Sequence, residues 1–263
     1  MSSELMLPHP DNSELRTLNS ALVKRIAREV GFDDCGVARA GALTDEEYPL
    51  REWLGRGWHG DLGYMERNID IRMDPLRLLS DARSIICCVS AYPPPEGNGH
   101  DGVAAYARHR EYHKVVKDML FALRERLGIE GKVCCDTVPI SDKHWAARAG
   151  LGWIGRHTLL VTPRWGSWVN LGEIVTAEEC DHYDSPLPSG CSGCNLCVEA
   201  CPNHAIKPLA SGEAIDVRRC TAYYTTHNPR PLPPDVDAHG YTIGCDICQL
   251  ACPFNKKILT FAQ

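Results

Sequence analysis

Eight of the fourteen cysteines in this 263-residue chain crowd into residues 191–252, in a spacing that leaves few folds open. The first run is Cys191-x2-Cys194-x2-Cys197-x3-Cys201-Pro202. A lone Cys220 follows, and then Cys245-x2-Cys248-x3-Cys252-Pro253. In the bacterial two-cluster pattern three closely spaced cysteines bind one 4Fe-4S cube, and the fourth, just before proline, crosses to the other cube. The second run lacks its leading cysteine, and Cys220 completes the set of thiolates. The spacing therefore predicts Cys191, Cys194, Cys197 and Cys252 on cluster 1, and Cys201, Cys220, Cys245 and Cys248 on cluster 2. Zinc would use separated Cys-x2-Cys or Cys/His pairs, which leaves the later cysteine-proline steps unexplained. Disulfides need an oxidising compartment. Residues 1–12 are polar and proline-containing, without the apolar core of a signal peptide, so the expected location is the cytoplasm.

The length accommodates a substantial domain and a small one. No run of about eighteen apolar residues marks a membrane span. A net charge of -6 argues against non-specific nucleic-acid affinity over the whole surface and leaves room for a local basic face. Cys35, Cys87, Cys88, Cys134, Cys135 and Cys180 stand in mostly apolar surroundings, where a free cysteine behaves as a small core hydrophobe.

Leu22, Ile26 and Val30 form a helical stripe over 19–30, stopped by Gly31. A short strand is predicted at 35–38, a helix at 50–57 and an apolar strand at 84–91, followed by a surface loop through the prolines and glycines of 93–102. Residues 111–127 read as an amphipathic helix with Val115, Val116, Met119, Leu120 and Leu123 inward, and 132–135 as a strand leading into Asp136. Strands at 158–162 and 168–175, joined through Arg164-Trp165-Gly166, suggest a hairpin. The polar, proline-containing stretch 181–190 separates a domain at 1–180 from a cluster domain at 181–263, which carries a proline-rich insertion at 228–240. This irregular order of strands and helices predicts an α+β core.

About 180 residues precede the clusters, so the electrons have a destination within the chain. Gly150-x-Gly152-x-x-Gly155, with Glu173 about twenty positions on, has the letters of a dinucleotide motif. It follows a predicted helix instead of a strand, and close packing of a turn is the better reading.

The run from Asp136 to Leu160 (DTVPISDKHWAARAGLGWIGRHTLL) and the stretch 166–174 (GSWVNLGEI) closely resemble the core of epoxyqueuosine reductases, cobalamin-dependent iron–sulfur enzymes. YARHREYH at 106–113, DARSII at 81–86, Arg219-Cys220 and GCDICQLACP at 244–253 are similar to further stretches of that family, so the resemblance runs from about residue 20 to 257. It implies a cobalamin-binding domain related to reductive dehalogenases and B12-processing proteins, followed by a ferredoxin-like domain. The reaction it implies is removal of the epoxide oxygen of epoxyqueuosine at the tRNA wobble position. Asp136 matches the family's catalytic aspartate and is the implied proton donor, with Tyr106 as the fallback. The implied cobalamin contacts are Tyr106, Asp136, His157, Thr158, Ser167 and Tyr223. The sequence lacks an Asp-x-His-x-x-Gly run to offer cobalt a histidine, so the cofactor is expected base-off, with neither His113 nor His157 as a ligand. The tRNA anticodon loop and an external low-potential electron donor are the implied partners.

Longer members carry a carboxy-terminal helical-repeat extension that helps hold tRNA. This sequence reaches Gln263 soon after the last cluster motif, so a compact member is expected. His109 and Glu111 replace glycine and aspartate of the family pattern, Asp142 replaces glutamate, and Ala222 replaces serine. Arg108, Arg110, Lys143, Arg148 and Arg156 are candidate phosphate contacts on the catalytic face. Two other functions remain open: a cobalamin-dependent reductase of a small organic substrate, and an electron-transfer or cobalamin-handling protein.

Overall fold

The computed structural model describes residues 17–95, 101–108, 111–210, 212–227 and 230–259. The segment 1–12, half of the loop at 93–102, His109, Arg110 and the start of the insertion at 228–240 lie outside the described residues.

Strand β2, defined below, has the character its apolar run demands: its first six residues are buried without alternation, so both faces must be covered. Four antiparallel strands, β1 (Asp34–Arg39), β2 (Ser84–Ala91), β3 (Lys132–Cys134) and β4 (Val169–Thr176), form the sheet in the order β1-β2-β4-β3. Side chains alternate along a strand, so Ile86 and Cys88 enter one core while Ile85, Cys87 and Val89 enter the other. Each fully buried isoleucine or valine contributes about 1.5–3 kcal/mol over its exposed state.

The first core lies under α1 (Ser20–Glu29) and α3 (Tyr112–Leu127), with α2 (Thr44–Gly55) between them in sequence. The Asn19 side chain accepts the Leu22 N–H and starts α1. Gly128, at φ 61°, ends α3. Val116, Leu120, Leu123 and Leu127 form the buried stripe of α3, whereas Val115, expected inward, is 38% exposed because it is one residue off that stripe. Helix α3 lies directly on the sheet at Gly172, where an added Cβ would approach Val116 Cγ1 to 2.6 Å. On the opposite face α4 (Asp142–Arg148) ends over Gly36, whose Cβ would meet the Ala149 carbonyl oxygen at 2.1 Å. A methyl group at either position would push a helix off the sheet. Cys35, Cys87, Cys88, Cys134, Cys135 and Cys180 are all buried.

The structure corrects two sequence expectations. Residues 160–161 pair with Trp153–Ile154, while β4 pairs with β2 and β3. Only a bridge from Thr162 to Gly166 survives of the expected hairpin, because β4 gains two long partners within the main sheet. The helix expected at 50–57 begins at Thr44 and tolerates Pro49 early in its course. Glu173 points into the second core and is completely buried, so it is no ribose ligand. The nearby Gly152 packs against Val161 backbone, with its Cβ position 2.2 Å from that carbonyl oxygen.

Beyond Cys180 the chain first stays on the sheet. Asp184 accepts from the Val37 N–H at 2.8 Å and from Lys24 Nζ at 2.5 Å, so the polar stretch at 181–190 begins as a strap. It then enters the cysteine-rich part, built on α5 (Leu196–Ala200), an antiparallel pair of Ile206–Leu209 with Gly212–Ile215, α6 (Ile247–Ala251) and α7 (Pro253–Leu259). Trp53 Nε1 donates to the Ile215 carbonyl at 2.7 Å and the Ala105 N–H to Asp246 at 2.8 Å, joining this part to the sheet domain.

Candidate active site and cluster centres

Helices α5 and α6 are short because each Cys-Pro step closes its loop: Cys201 and Cys252 take extended backbone at the two C-caps. This brings Cys191, Cys194, Cys197 and Cys252 around one pocket, completed by Arg156, His157, Pro253 and Phe254. Cys252 comes from the second run and the other three thiols from the first. A second group forms from Cys248, which lies within electrostatic reach of Cys220, Cys245 and Cys201, while Cys245 in turn senses Cys220 and Cys201. The Ala205 N–H points at Cys201 Sγ at 3.2 Å. Among the described residues no three His, Cys, Asp or Glu side chains converge tightly enough to hold a single ion. A cube asks for a wider set, since each thiolate binds a different iron, and two groups of four thiols fit that requirement.

Asp136 stands on the loop that leaves β3. Its backbone is left-handed, at φ 53°, a conformation that aspartate tolerates better than most residues. The Tyr112 hydroxyl donates a short hydrogen bond to Asp136 Oδ2, and His113 Nε2 lies 2.9 Å from the same oxygen. Both partners come from the first turn of α3, which fixes the carboxylate from one side. The Asp136 side chain remains 44% exposed. Burial, then the hydrogen bond to Asp136, raise the Tyr112 phenol far above its ordinary range.

Tyr106 lies within electrostatic reach of Tyr112, and Tyr92 within reach of Tyr106, Asp246 and Cys248. A row of phenols thus extends from the Asp136 loop to the second cysteine group. The Tyr106 hydroxyl is 3.2 Å from Thr226 Oγ1.

Behind the loop, Asp142 at the start of α4 faces Glu173 on β4. Burial raises Glu173 well above the carboxylate range, and the Asp142 charge adds to the effect. Burial likewise pushes Asp142 up to about 6, with Glu173 and Arg72 opposing. Both Glu173 oxygens and Asp142 Oδ1 find no donor among the other side chains. A bond between the two carboxyls exists only if one of them keeps a proton, and that is the state their burial favours.

The other residues expected at the cofactor divide. Ser167 is buried, and its Oγ accepts from Gln249 Nε2 at 3.1 Å and Asn255 Nδ2 at 2.8 Å. It is a joint between the sheet domain and α6–α7. The Tyr223 hydroxyl donates to Asp61 Oδ2 and accepts the Asp61 N–H, both at 2.9 Å, so it anchors the turn after α2. Both hydroxyls are engaged in hydrogen bonds that hold parts of the protein together. Thr158, at φ 64°, accepts from Lys143 Nζ through its carbonyl at 2.7 Å. His157 is buried beside the first cysteine group, and burial, then the Lys143 charge, lower it to about 4. Among the candidate phosphate contacts, Arg108 pairs with Asp101 at 2.5 Å, Arg148 with Glu46 at 3.1 Å and Arg156 with Glu213 at 3.0 Å. These ion pairs lower their value as free phosphate clamps; Arg110 is outside the described residues. Sequence reasoning missed Tyr112, His113 and Tyr92 as neighbours of the site. Tyr112 and His113 were within the quoted 106–113 stretch, yet no spacing rule linked them to Asp136.

Fold and side chains together define an iron–sulfur oxidoreductase with an α+β domain ahead of a two-cluster domain. A family model described as "4Fe-4S double cluster binding domain" matches residues 190–255, and one described as "Epoxyqueuosine reductase QueG, DUF1730" matches residues 72–139. Epoxyqueuosine reductases of Gloeobacter violaceus and Cellulophaga algicola are 38% and 34% identical, each over 90% of this chain and over 76% and 79% of their own lengths. The chain belongs to the epoxyqueuosine reductase family.

Among solved structures, epoxyqueuosine reductase from Streptococcus thermophilus superposes with TM-score 0.80 at 28% identity, covering 90% of this chain and 66% of that one. An epoxyqueuosine reductase structure holding a tRNA-Tyr epoxyqueuosine-modified stem loop also gives 0.80 at 28% identity, covering 90% and 65%. The Bacillus subtilis enzyme, described with its aspartate-bearing catalytic loop swung out of the active site, gives 0.78 at 26%, again covering 90% and 65%. This chain therefore spans just under two thirds of those three solved chains. Catabolic reductive dehalogenase NpRdhA shares the fold, with TM-score 0.59 at 17% identity over 89% of this chain and 31% of that one.

Proposed function

We propose that this chain removes the epoxide oxygen of epoxyqueuosine in tRNA, using cobalamin fed by two 4Fe-4S clusters. The observation that carries the reading is Asp136, held on a left-handed loop position by Tyr112 and His113 and still open to an incoming group. Membership of the epoxyqueuosine reductase family across nine-tenths of the chain supports it, as does the stem-loop complex of a relative.

In this proposal Cys191, Cys194, Cys197 and Cys252 hold one cube, and Cys201, Cys220, Cys245 and Cys248 hold the other. Tyr92, in the row with Tyr106 and Tyr112, lies within electrostatic reach of Cys248, so the second group is the proposed exit for electrons. Bound cobalamin supplies a low-valent cobalt that is both a strong reductant and a nucleophile. The residues fit such a group on chemical grounds: phenols and one carboxyl border the region, and each of the two histidines in question is otherwise engaged. His113 faces Asp136, and His157 lies with the first cysteine group. In this proposal neither histidine would ligate cobalt, and the cofactor is expected base-off.

An epoxide oxygen leaves as an alkoxide and needs a proton. Asp136 provides it as a general acid. Its exposure means that bound cofactor and substrate, more than the chain's own packing, would cover the carboxyl during the reaction. Tyr112 and His113 aim the carboxyl, and Tyr106 is the second phenol near the same region. The swung-out aspartate loop described for the Bacillus enzyme supports a loop that carries Asp136 in and out of the site. The proposed location is cytoplasmic, where tRNA is available; among the described residues no helix is long and apolar enough to cross a membrane.

The test is anaerobic single turnover by iron-loaded, cobalamin-loaded protein on an epoxyqueuosine-modified anticodon stem loop and on the free modified nucleoside. The reading requires conversion of the stem loop. Conversion of the free nucleoside alone would favour the small-substrate alternative, and conversion of neither would leave only the electron-transfer role.

A further inference from the structure

His157 is 3% exposed, and it lines the same pocket as Cys191, Cys194, Cys197 and Cys252. The loop that bears it is tightly determined. The Thr158 N–H bonds back to the Gly155 carbonyl at 2.8 Å, and the Leu159 N–H reaches the Gly155–His157 turn by donating to His157 Nδ1 at 3.3 Å. Gly155 lies against the Cε1 and Nδ1 edge of the ring, with its Cβ position 2.8 Å from Cε1 and 3.2 Å from Nδ1. That edge is closed by backbone.

The Leu159 contact settles the tautomer. Nδ1 accepts an N–H and cannot itself carry a proton, so the ring proton resides on Nε2. Nε2 is buried and has no hydrogen-bond partner among the described residues. An unsatisfied buried donor is costly enough to be rare in a native fold. The pocket that His157 shares with four thiols offers the acceptor: cluster and cysteinyl sulfurs take hydrogen bonds from N–H groups, and such bonds are among the factors that set a cluster's potential.

We propose that His157 Nε2–H donates to a sulfur of cluster 1 and is a positioning residue that raises that cluster's reduction potential. This differs from a corrin contact, the role the family resemblance implied for the same residue. It rests on the thiolate assignment proposed above. A donor to sulfur spreads the negative charge that reduction adds, so it favours the reduced cluster and makes it an easier acceptor for an external donor. Electrons then pass to the second cluster, whose Cys248 is itself within electrostatic reach of Cys197.

The experiment uses the full chain with both clusters in place. In reduced wild-type protein labelled with ¹⁵N-histidine, pulsed magnetic resonance on the cluster 1 signal should show a weak ¹⁵N coupling and an exchangeable proton. His157→Phe should lose both and shift cluster 1 to a more negative potential, while His157→Gln, which keeps an N–H donor, should lie nearer wild type. An unchanged cluster 1 potential in His157→Phe at full iron content overturns the proposal. So does a variant that moves the cobalt couple alone, which would return His157 to the corrin. If His157→Phe fails to hold cluster 1, the labelled wild-type protein decides: no ¹⁵N coupling overturns the proposal. Cys191→Ala separately checks the thiolate assignment, because an intact cluster 1 in that variant defeats the assignment whatever His157 does.

Discussion

Replacing Glu173 by glutamine removes a proton that the folded protein is forced to hold. Glu173 is completely buried on β4 and faces Asp142, and both causes raise it well above an ordinary glutamate. In the unfolded chain the same carboxyl ionises near about pH 4.3. Between that value and its folded pKa, the folded state binds one proton more than the unfolded state. Its contribution to stability is therefore complete below about pH 4.3 and is lost as pH rises toward the folded value. The slope is about 1.4 kcal/mol per pH unit across the interval in which the folded carboxyl keeps its proton and the unfolded one has lost it. Asp142, raised to about 6, shares this proton and is not a second loss of equal size. The charged or titratable groups around the pair are Asp136, Arg72, Lys143, Cys87, Cys134 and Cys135. The thiols stay neutral because burial raises Cys87, Cys134 and Cys135. Glutamine keeps the shape of Glu173 and offers Asp142 an amide donor at every pH. Anaerobic thermal unfolding of the iron-loaded wild type and Glu173→Gln from pH 5 to pH 7 should show the gap moving in the variant's favour. At about 2–4 °C per kcal/mol for a chain of this size, the change is roughly 3–6 °C for each pH unit of that interval. Parallel midpoint curves would refute the reasoning, since they would mean that Glu173 carries no trapped proton.

Other outcomes follow from the cysteine groups, the acid and the close helix contact. Cys220→Ala should lower iron from close to eight per chain and damage the second cluster selectively by magnetic resonance; an intact second cluster would remove Cys220 from the ligand set. Asp136→Asn should retain cobalamin and iron while single-turnover reduction slows by about 10²- to 10⁴-fold, the range for general-acid steps. Near-wild-type rates would move the search to Tyr106. The cobalt(II) resonance should show no nitrogen superhyperfine splitting, because His113 faces Asp136 and His157 lies with the cysteines; such splitting would contradict base-off binding without a histidine ligand. Gly172→Ala should destabilise the sheet domain by about 1–3 kcal/mol through overpacking against Val116 and Leu120, read as a fall in unfolding midpoint, and an unchanged midpoint would show that α3 can shift freely.

The legible parts of the sequence were those governed by one local period. The run 84–91 is a strand with the same bounds in the structure, because an unbroken apolar octet has no other good use. Helix α3 and the cysteine groups were likewise written in spacing. The partner of β4 was not, since a tight Arg164-Trp165-Gly166 connection looks the same whether the flanking strands pair together or join different neighbours. Asp136 could be found by resemblance, but its clamp by Tyr112 and His113 depends on where α3 starts over the sheet, a tertiary fact. The hydrogen bonds of Ser167 and Tyr223 were not legible either, because their hydroxyls bond Gln249, Asn255 and Asp61 across long sequence distances. The Glu173–Asp142 pair also escaped, because each carboxyl is unremarkable in sequence until the fold brings them together out of water.

The central claim is that this chain's own residues suffice for cobalamin-dependent reduction of the epoxide in tRNA. Its most direct test is anaerobic incubation of iron-loaded protein and a low-potential reductant with epoxyqueuosine-containing tRNA, with and without cobalamin, followed by mass analysis of the digested nucleosides. The account requires the epoxyqueuosine mass to fall by one oxygen atom, giving queuosine only when cobalamin is present and much more slowly with Asp136→Asn. Unchanged epoxyqueuosine in the presence of both intact clusters and bound cobalamin would contradict it.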